Sequence, residues 1–326
     1  MFSVGLGPLA DSFFALSTML IAIPTGVKIF NWLATVWGGA VRLRTPMLFA
    51  LGFIAQFTVG GLSGVMHSIV PIDTQQTDTY FVVAHFHYVL FGGLVFAVFG
   101  GFYYWWQKVF GTMLNEKMGK LNFWLMVVGF NLTFFPMHFL GFEGQPRRTY
   151  TYPSGMGWDT MNLLATIGAF IIAASVAVFF VNVIFTARRG ERVSHDPWDG
   201  RTLEWSIPSP PPAYNFAVVP IVTGIDDYWH RKYTEDDEGR LVKLPAGGAV
   251  DDAEHAPAGF DPHSIHMPSP SYWPLIFAIA LPIIGYGFVF KNWYLLAAGV
   301  VVAFFGLNGW AIEPSAEPEP SGTEAH

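Results

Sequence analysis

Residues 79–90 read Thr79-Tyr80-Phe81-Val82-Val83-Ala84-His85-Phe86-His87-Tyr88-Val89-Leu90, an apolar run with two histidines one residue apart. The apolar stretch extends over 80–108, longer than the roughly 20 residues a helix needs to cross the hydrocarbon core of a bilayer. Each helical residue turns the chain by about 100°, so positions i and i+2 lie about 200° apart. His85 and His87 therefore face opposite sides of one helix, with Phe86 pointing out between them. They cannot chelate one metal ion together. Each is free to hold a partner of its own.

The surrounding chain has the same character. Of 326 residues, 52% are hydrophobic and only 13% charged, the balance of a membrane protein. The net charge of -7 is unevenly spread: residues 1–187 carry eight Lys/Arg and six Asp/Glu, and 188–326 carry nine and eighteen. The first part is thus a nearly neutral membrane core and the second is polar and acidic. There is no cysteine, which excludes disulfides, thiolate-held iron–sulfur clusters and thiolate copper centres within this sequence. Any metal rests on His, carboxylate or carbonyl ligands.

Apolar windows predict helices over 12–37, 46–68, 80–108, 121–142, 159–187, 271–290 and 293–312. The fold class is an all-α polytopic membrane protein, a bundle of about five core helices plus a carboxyl-terminal two-helix hairpin turning at Lys291-Asn292. The domains read as a membrane core (1–187), a polar Pro-rich cytoplasmic linker (188–270), the hairpin (271–312) and an acidic tail (313–326). Within the linker, Pro208–Pro212 reads as extended, Asp226–Glu238 as partly helical, and 245–270 as disordered, like the tail. Arg42 and Arg44, Lys108, Lys117 and Lys120, and Arg188, Arg189 and Arg192 follow alternate helices and mark the cytoplasmic side. The opposite loops are 69–79, with Asp73 and Asp78, and 143–158, with Arg147-Arg148.

Polar residues inside the membrane are costly and usually face the bundle interior. For His85 and His87 two readings stand: interhelical hydrogen bonds, or axial ligation of haem by neutral imidazole. Lys28 lies deep in Ile21-Ala22-Ile23-Pro24-Thr25-Gly26-Val27-Lys28-Ile29-Phe30. Snorkelling to the interface is one explanation. The other is a proton-conducting stripe, because Ser17, Thr25, Lys28 and Thr35 share one side of the helix and Pro24 loosens the backbone there. Adjacent Arg147 and Arg148 on the outer side break the charge rule and point to an anionic ligand, since arginine forks fit carboxylate and phosphate. An ion pair between the loops is the plainer explanation. His67 and His138 lie at outer helix ends and read as interfacial, His255, His263 and His266 as solvated. Trp105, Trp106, Trp158, Tyr272 and Trp293 read as an aromatic belt.

Several of these segments occur together in one known family. Ile21–Lys28, Phe57-Thr58-Val59-Gly60-Gly61-Leu62, Asp78–Tyr88, Asn131-Leu132-Thr133-Phe134-Phe135-Pro136 and Pro146-Arg147-Arg148, in that order, resemble the carboxyl-terminal half of subunit I of haem–copper terminal oxidases, close to the aa3-type cytochrome c oxidases. The match covers roughly 1–187. The resemblance implies that His85 is the axial ligand of the high-spin, oxygen-binding haem and His87 one axial ligand of the low-spin haem, with Phe86 between them. It implies haems a and a3, a proton channel through Lys28 and Thr25, haem propionates paired with Arg147 and Arg148 with Asp73 in the propionate region, and magnesium at Asp78. Where the family has His-Asp at the magnesium site, this sequence has Thr77-Asp78, one ligand fewer. The family's copper-ligating His-His pair directly precedes the Met-Phe that matches Met1-Phe2, so copper ligands are absent from this chain and the resemblance implies a truncated chain, inactive alone.

The expected activity of the complete enzyme is reduction of O2 to water with electrons from cytochrome c, coupled to proton translocation. The expected setting is the bacterial plasma membrane, in the lipid bilayer with oxidase subunits II and III and no nucleic acid. A quinol oxidase of the same superfamily is the nearest alternative. A non-redox transporter or channel using Lys28 and the histidines along an ion path is the alternative of a different class.

Overall fold

The computed structural model describes residues 2–216, 219–244 and 270–313. They form two compact units, Met1–Gly200 with Pro208–Pro211, and Arg201–Ile207 with Pro212–His326. The first unit holds α1 (Pro8–Val36), α2 (Thr45–His67), a short α3 (Val70–Gln76), α4 (Tyr80–Leu90), α5 (Phe96–Phe110), α6 (Glu116–Phe142) and α7 (Asp159–Arg189). A π-helical turn at Phe91–Val95 joins α4 to α5, so the two form one rod. Such turns mark places where a helix departs from its ladder, often at functional sites. The second unit contains α8 (Asp227–Lys232), a two-stranded antiparallel hairpin of β1 (Tyr233–Glu235) and β2 (Leu241–Lys243), α9 (Trp273–Val289) and α10 (Trp293–Ile312). Among the described residues six spans are long and apolar enough to cross a membrane: α1, α2, the α4–α5 rod, α6, α7 and α10. The chain is an all-α, multi-pass membrane protein.

Helix ends explain where apolar windows fell short. The expected start of α6 at 121 moves to Glu116, because the Asn115 side chain caps the helix by accepting from Met118 N at 3.1 Å. Likewise α1 begins at Pro8, a residue suited to the first helical turn. Both starts are polar or irregular in composition, and hydropathy does not register them. In the outer loop 69–79, Pro71 near the start of α3 favours a short helix where only a loop was expected. Thr79 caps the histidine helix α4, accepting from Phe81 N at 3.2 Å.

The core of the bundle is aromatic. Phe49 of α2 stacks on Phe99 and Tyr103 of α5 at 5.5 and 5.8 Å, and Tyr88 of α4 meets Phe130 of α6 edge-on at 4.8 Å. Offset and edge-to-face pairs of this kind add to the burial of large rings. Helices α6 and α7 approach closely because Gly129 and Gly168 face each other's backbones; a Cβ on Gly129 would lie 2.8 Å from Ile172 N. Across the same seam Asn122 Nδ2 donates to Ser175 O at 2.9 Å and Ser175 Oγ donates to Asn122 O at 2.7 Å. Buried polar groups at this depth are tolerated when paired in this way.

The two ends of the bundle are tied by short backbone links. At one end Val193 N donates to Gly111 O at 3.3 Å and Thr112 bridges Arg192, joining the turn after α5 to the exit of α7. That brings two of the three basic clusters together, as the charge pattern requires. At the other end Thr79 bridges Pro146 and Tyr80 N donates to Gln145 O at 2.9 Å. Two residues depart from their sequence reading. Lys108, read among the basic residues of a surface turn, is buried, and Trp158 packs inside rather than in an aromatic belt. Residues 188–200, read as linker, pack onto the bundle, where Trp198 Nε1 donates to Tyr104 O at 2.9 Å.

In the second unit, the segment read as partly helical is α8 followed by β1. Tyr228 and Trp205 are buried together, with the Tyr228 hydroxyl donating to Trp205 O at 3.1 Å. Asp227 accepts from Thr223 Oγ1 and from Arg231 Nε, each at 2.7 Å. Helices α9 and α10 pack as a hairpin, with Asn292 capping α10. The stretches read as disordered, and His255, His263 and His266, lie outside the described residues apart from residues 270 and 313.

Candidate functional site

Helix α4 lies between α2 and α6. Its buried stripe is Phe81, Ala84 and Tyr88, spaced three and four apart as one helical face requires. That stripe fixes the rotation of the helix and so sends His85 and His87 to different neighbours.

His85 faces α2. Its Nδ1 lies 3.1 Å from Gly60 O and 2.9 Å from Ser63 Oγ. A carbonyl only accepts, so the proton sits on Nδ1 and the lone pair on Nε2. Gly64 leaves the ring room; a Cβ there would lie 3.2 Å from His85 Cε1. At Gly60 the two backbones nearly touch, since a Cβ would lie 2.9 Å from Val89 N. His87 faces α6. Its Nδ1 donates to Val83 O at 2.8 Å and its ring stacks on Phe134 at 4.0 Å, 14° from parallel. Among the described residues neither Nε2 has a hydrogen-bond partner. A metal-binding imidazole typically carries its other ring proton to a carbonyl or carboxylate. Both histidines have that arrangement, and interhelical hydrogen bonding does not consume the second nitrogen of either. The residues present therefore fit two separate axial ligands. Phe86 lies beside His87, ring centroids 4.5 Å apart.

The outer loops supply charge. Arg147 Nε donates to Asp78 Oδ1 at 2.7 Å, and Arg147 N donates to Asp78 O at 2.8 Å. The structure therefore shows the inter-loop ion pair, with Asp78 in a left-handed conformation at φ 63°. Arg148, also left-handed at φ 65°, is exposed and makes no ion pair among the described residues. Asp73 approaches His67 Nδ1 at 3.4 Å.

Lys28 lies apart from this cluster. It is exposed on α1 and has no hydrogen bond or ion pair among the described residues. Thr25 Oγ1 donates to Ile21 O at 3.0 Å and Thr35 Oγ1 to Asn31 O at 2.8 Å, so the stripe's hydroxyls close on their own helix.

Residues 1–171 match the family model described as cytochrome c and quinol oxidase polypeptide I. The chain belongs to this family. The chain is 50% identical over 311 residues to cytochrome c oxidase subunit 1 of Bacillus sp. (strain PS3), covering 94% of this chain and 47% of that protein. It is 42% identical over 306 residues to quinol oxidase subunit 1 of Bacillus subtilis (strain 168), covering 92% and 44%. It thus spans about half the length of the curated relatives it matches. Among solved structures, a haem–copper terminal oxidase dimer matches with a TM-score of 0.50 at 20% identity, over 59% of this chain and 39% of that one; this likeness concerns the fold.

Three contributors to the site escaped sequence reading. Gly60 and Ser63 anchor His85, and Phe134 supports His87. Nothing in one sequence pairs a serine on one helix with a histidine on another. His67, read as interfacial, packs on His85 with ring centroids 4.8 Å apart. His138 sits against Phe81 at 5.0 Å.

Proposed function

We propose that this chain supplies the carboxyl-terminal half of the catalytic subunit of a respiratory terminal oxidase. The complete enzyme reduces O2 to water with electrons from cytochrome c and couples this to proton translocation. The observation that carries the proposal is the pair on α4: each imidazole keeps Nδ1 on a backbone carbonyl and leaves Nε2 unpaired, facing different helices.

His85 holds the high-spin haem and His87 the low-spin haem, of types a3 and a. Phe86 lies between the two. When bound, these groups supply the electron transfer and oxygen chemistry. The protein's part is binding, orientation and proton control. Ser63 and the Gly60 carbonyl fix the imidazole plane of His85 and raise its basicity. Phe134 holds the ring of His87 by stacking. Arg147 and Arg148 pair with the carboxylates of the bound haems, with Asp73 in the same region, Arg148 being the exposed guanidinium with no partner among the described residues. Asp78 serves a magnesium site shared with a partner subunit, as well as pairing with Arg147. Lys28 and Thr25 carry protons from the cytoplasmic side, with Pro24 opening the helix to water. Copper at the oxygen site is held by residues outside this sequence. The division into membrane core, linker, hairpin and tail, the partner subunits II and III, and residence in a bacterial plasma membrane complete the proposal.

Cytochrome c is preferred to quinol as donor because a relative bearing the cytochrome c name is 50% identical and one bearing the quinol name 42%. The test is a reduced-minus-oxidised spectrum and oxygen uptake on membranes holding the assembled protein, with reduced cytochrome c or a quinol as donor. Haem bands with cytochrome c oxidation are expected. Uptake with quinol alone transfers the chain to the quinol branch, and a spectrum without haem overturns the oxidase proposal.

A further inference from the structure

His67 ends α2 one turn beyond Gly64 and Ser63, the residues that surround His85. Its ring lies 4.8 Å from that of His85, tilted by 57°, and 5.3 Å from that of Phe81, nearly edge-on. Both its nitrogens are buried and neither makes a hydrogen bond among the described residues. The Asp73 carboxylate, 3.4 Å from Nδ1, is close enough to orient the ring but too long for a good hydrogen bond. A buried polar atom without a hydrogen bond is costly, so an imidazole buried beside a carboxylate in this way calls for a function. Packing alone would be served better by a leucine or phenylalanine at this position.

We propose that His67 is a positioning residue for the haem at His85. Asp73 turns the ring, and the ring in turn sets the plane of the His85 imidazole. Ser63 and Gly60 hold His85 at Nδ1, and His67 limits its rotation from the Asp73 side. His85 is thus clamped between two turns of the same helix. The inference rests on the oxidase proposal above, since it needs a haem at His85. His67 Nδ1 faces the Asp73 carboxylate and offsets its charge, which would otherwise disfavour the reduced, more negative form of the haem.

The test uses the assembled oxidase carrying His67→Phe, His67→Gln or His67→Leu. The readouts are haem content, the midpoint potential of the high-spin haem, and the iron–histidine stretching band in resonance Raman spectra. His67→Phe keeps a ring and removes both nitrogens. It is expected to retain haem, lower the midpoint potential and shift or broaden the iron–histidine band. His67→Gln is expected to recover the potential in part, and His67→Leu to show the full change. Should His67→Leu fail to assemble, the Phe and Gln pair decides the matter. A haem-loaded His67→Phe enzyme with the parental potential and band overturns the inference while leaving the oxidase proposal standing. Absence of haem from the parental protein would overturn that proposal instead.

Discussion

Helices α4 and α1 both carry polar residues within an apolar span, and the fold treats them in opposite ways. Ala84 and Tyr88 of α4 are 0% and 1% exposed, and the helix is packed between α2 and α6. No residue of α1 is buried. His85 and His87 have their rings fixed by named neighbours, whereas Lys28 has none among the described residues. Under the proposed function, the difference would separate a ligand from a proton carrier. A ligand must present one atom at one angle, which needs a rigid shell. A proton carrier has to move its charge between positions, and a flexible lysine without a fixed partner suits that task.

Substitutions at the two helices should therefore differ in kind. The largest effect belongs to His85→Ala and His87→Ala, each expected to abolish oxygen uptake by the assembled enzyme; appreciable turnover in either variant would mean that the residue is not a ligand. Lys28→Met should leave both haems spectrally intact and slow turnover by about 10²-fold, the scale of losing a positioned proton-transfer group. Unchanged turnover there would remove α1 from the proton path. Ser63→Ala deletes one anchor of His85, an interaction of about 1 kcal/mol, and should speed haem loss by about 5-fold at that site with His87's haem unaffected. Haem retention measured by spectral decay checks this.

The smallest effect belongs to the second unit. Hydrogen bonds from Thr223 and the Arg231 guanidinium hold the Asp227 carboxyl below the usual carboxylate range. A depressed carboxylate contributes stability above its unfolded pKa, near 3.9, and loses it as pH falls through the folded value. Amide exchange across Asp227–Lys232 should accordingly stay slow at neutral pH and quicken only below about pH 4. Asp227→Asn should flatten that dependence, and an identical acid response in the variant would show that the carboxylate is not responsible.

Much of this was legible in the sequence because membrane spans are long and apolar and because the geometry of i and i+2 is fixed by the helix. The opposite facing of His85 and His87 followed from about 100° per residue. The meeting of the turn after α5 with the exit of α7 agrees with their shared basic charge, at Lys108 to Lys120 and Arg188 to Arg192. What escaped was whatever depends on another helix. Ser63, Phe134 and His67 acquire their roles only once α2 and α6 are placed against α4. The Arg147–Asp78 pair is a contact between loops 69 residues apart, and either an ion pair or an anion site was compatible with the sequence. Starts of helices were missed where a cap, not hydropathy, sets the boundary, as at Asn115.

The central claim is that α4 holds two separate haems, one on each side. The most direct measurement is the reduced-minus-oxidised spectrum, with and without carbon monoxide, of assembled enzymes carrying His85→Ala or His87→Ala. The account predicts that His85→Ala loses the carbon monoxide-sensitive haem and keeps the other, and that His87→Ala does the reverse. Loss of the same haem from both variants, or of neither, would contradict it.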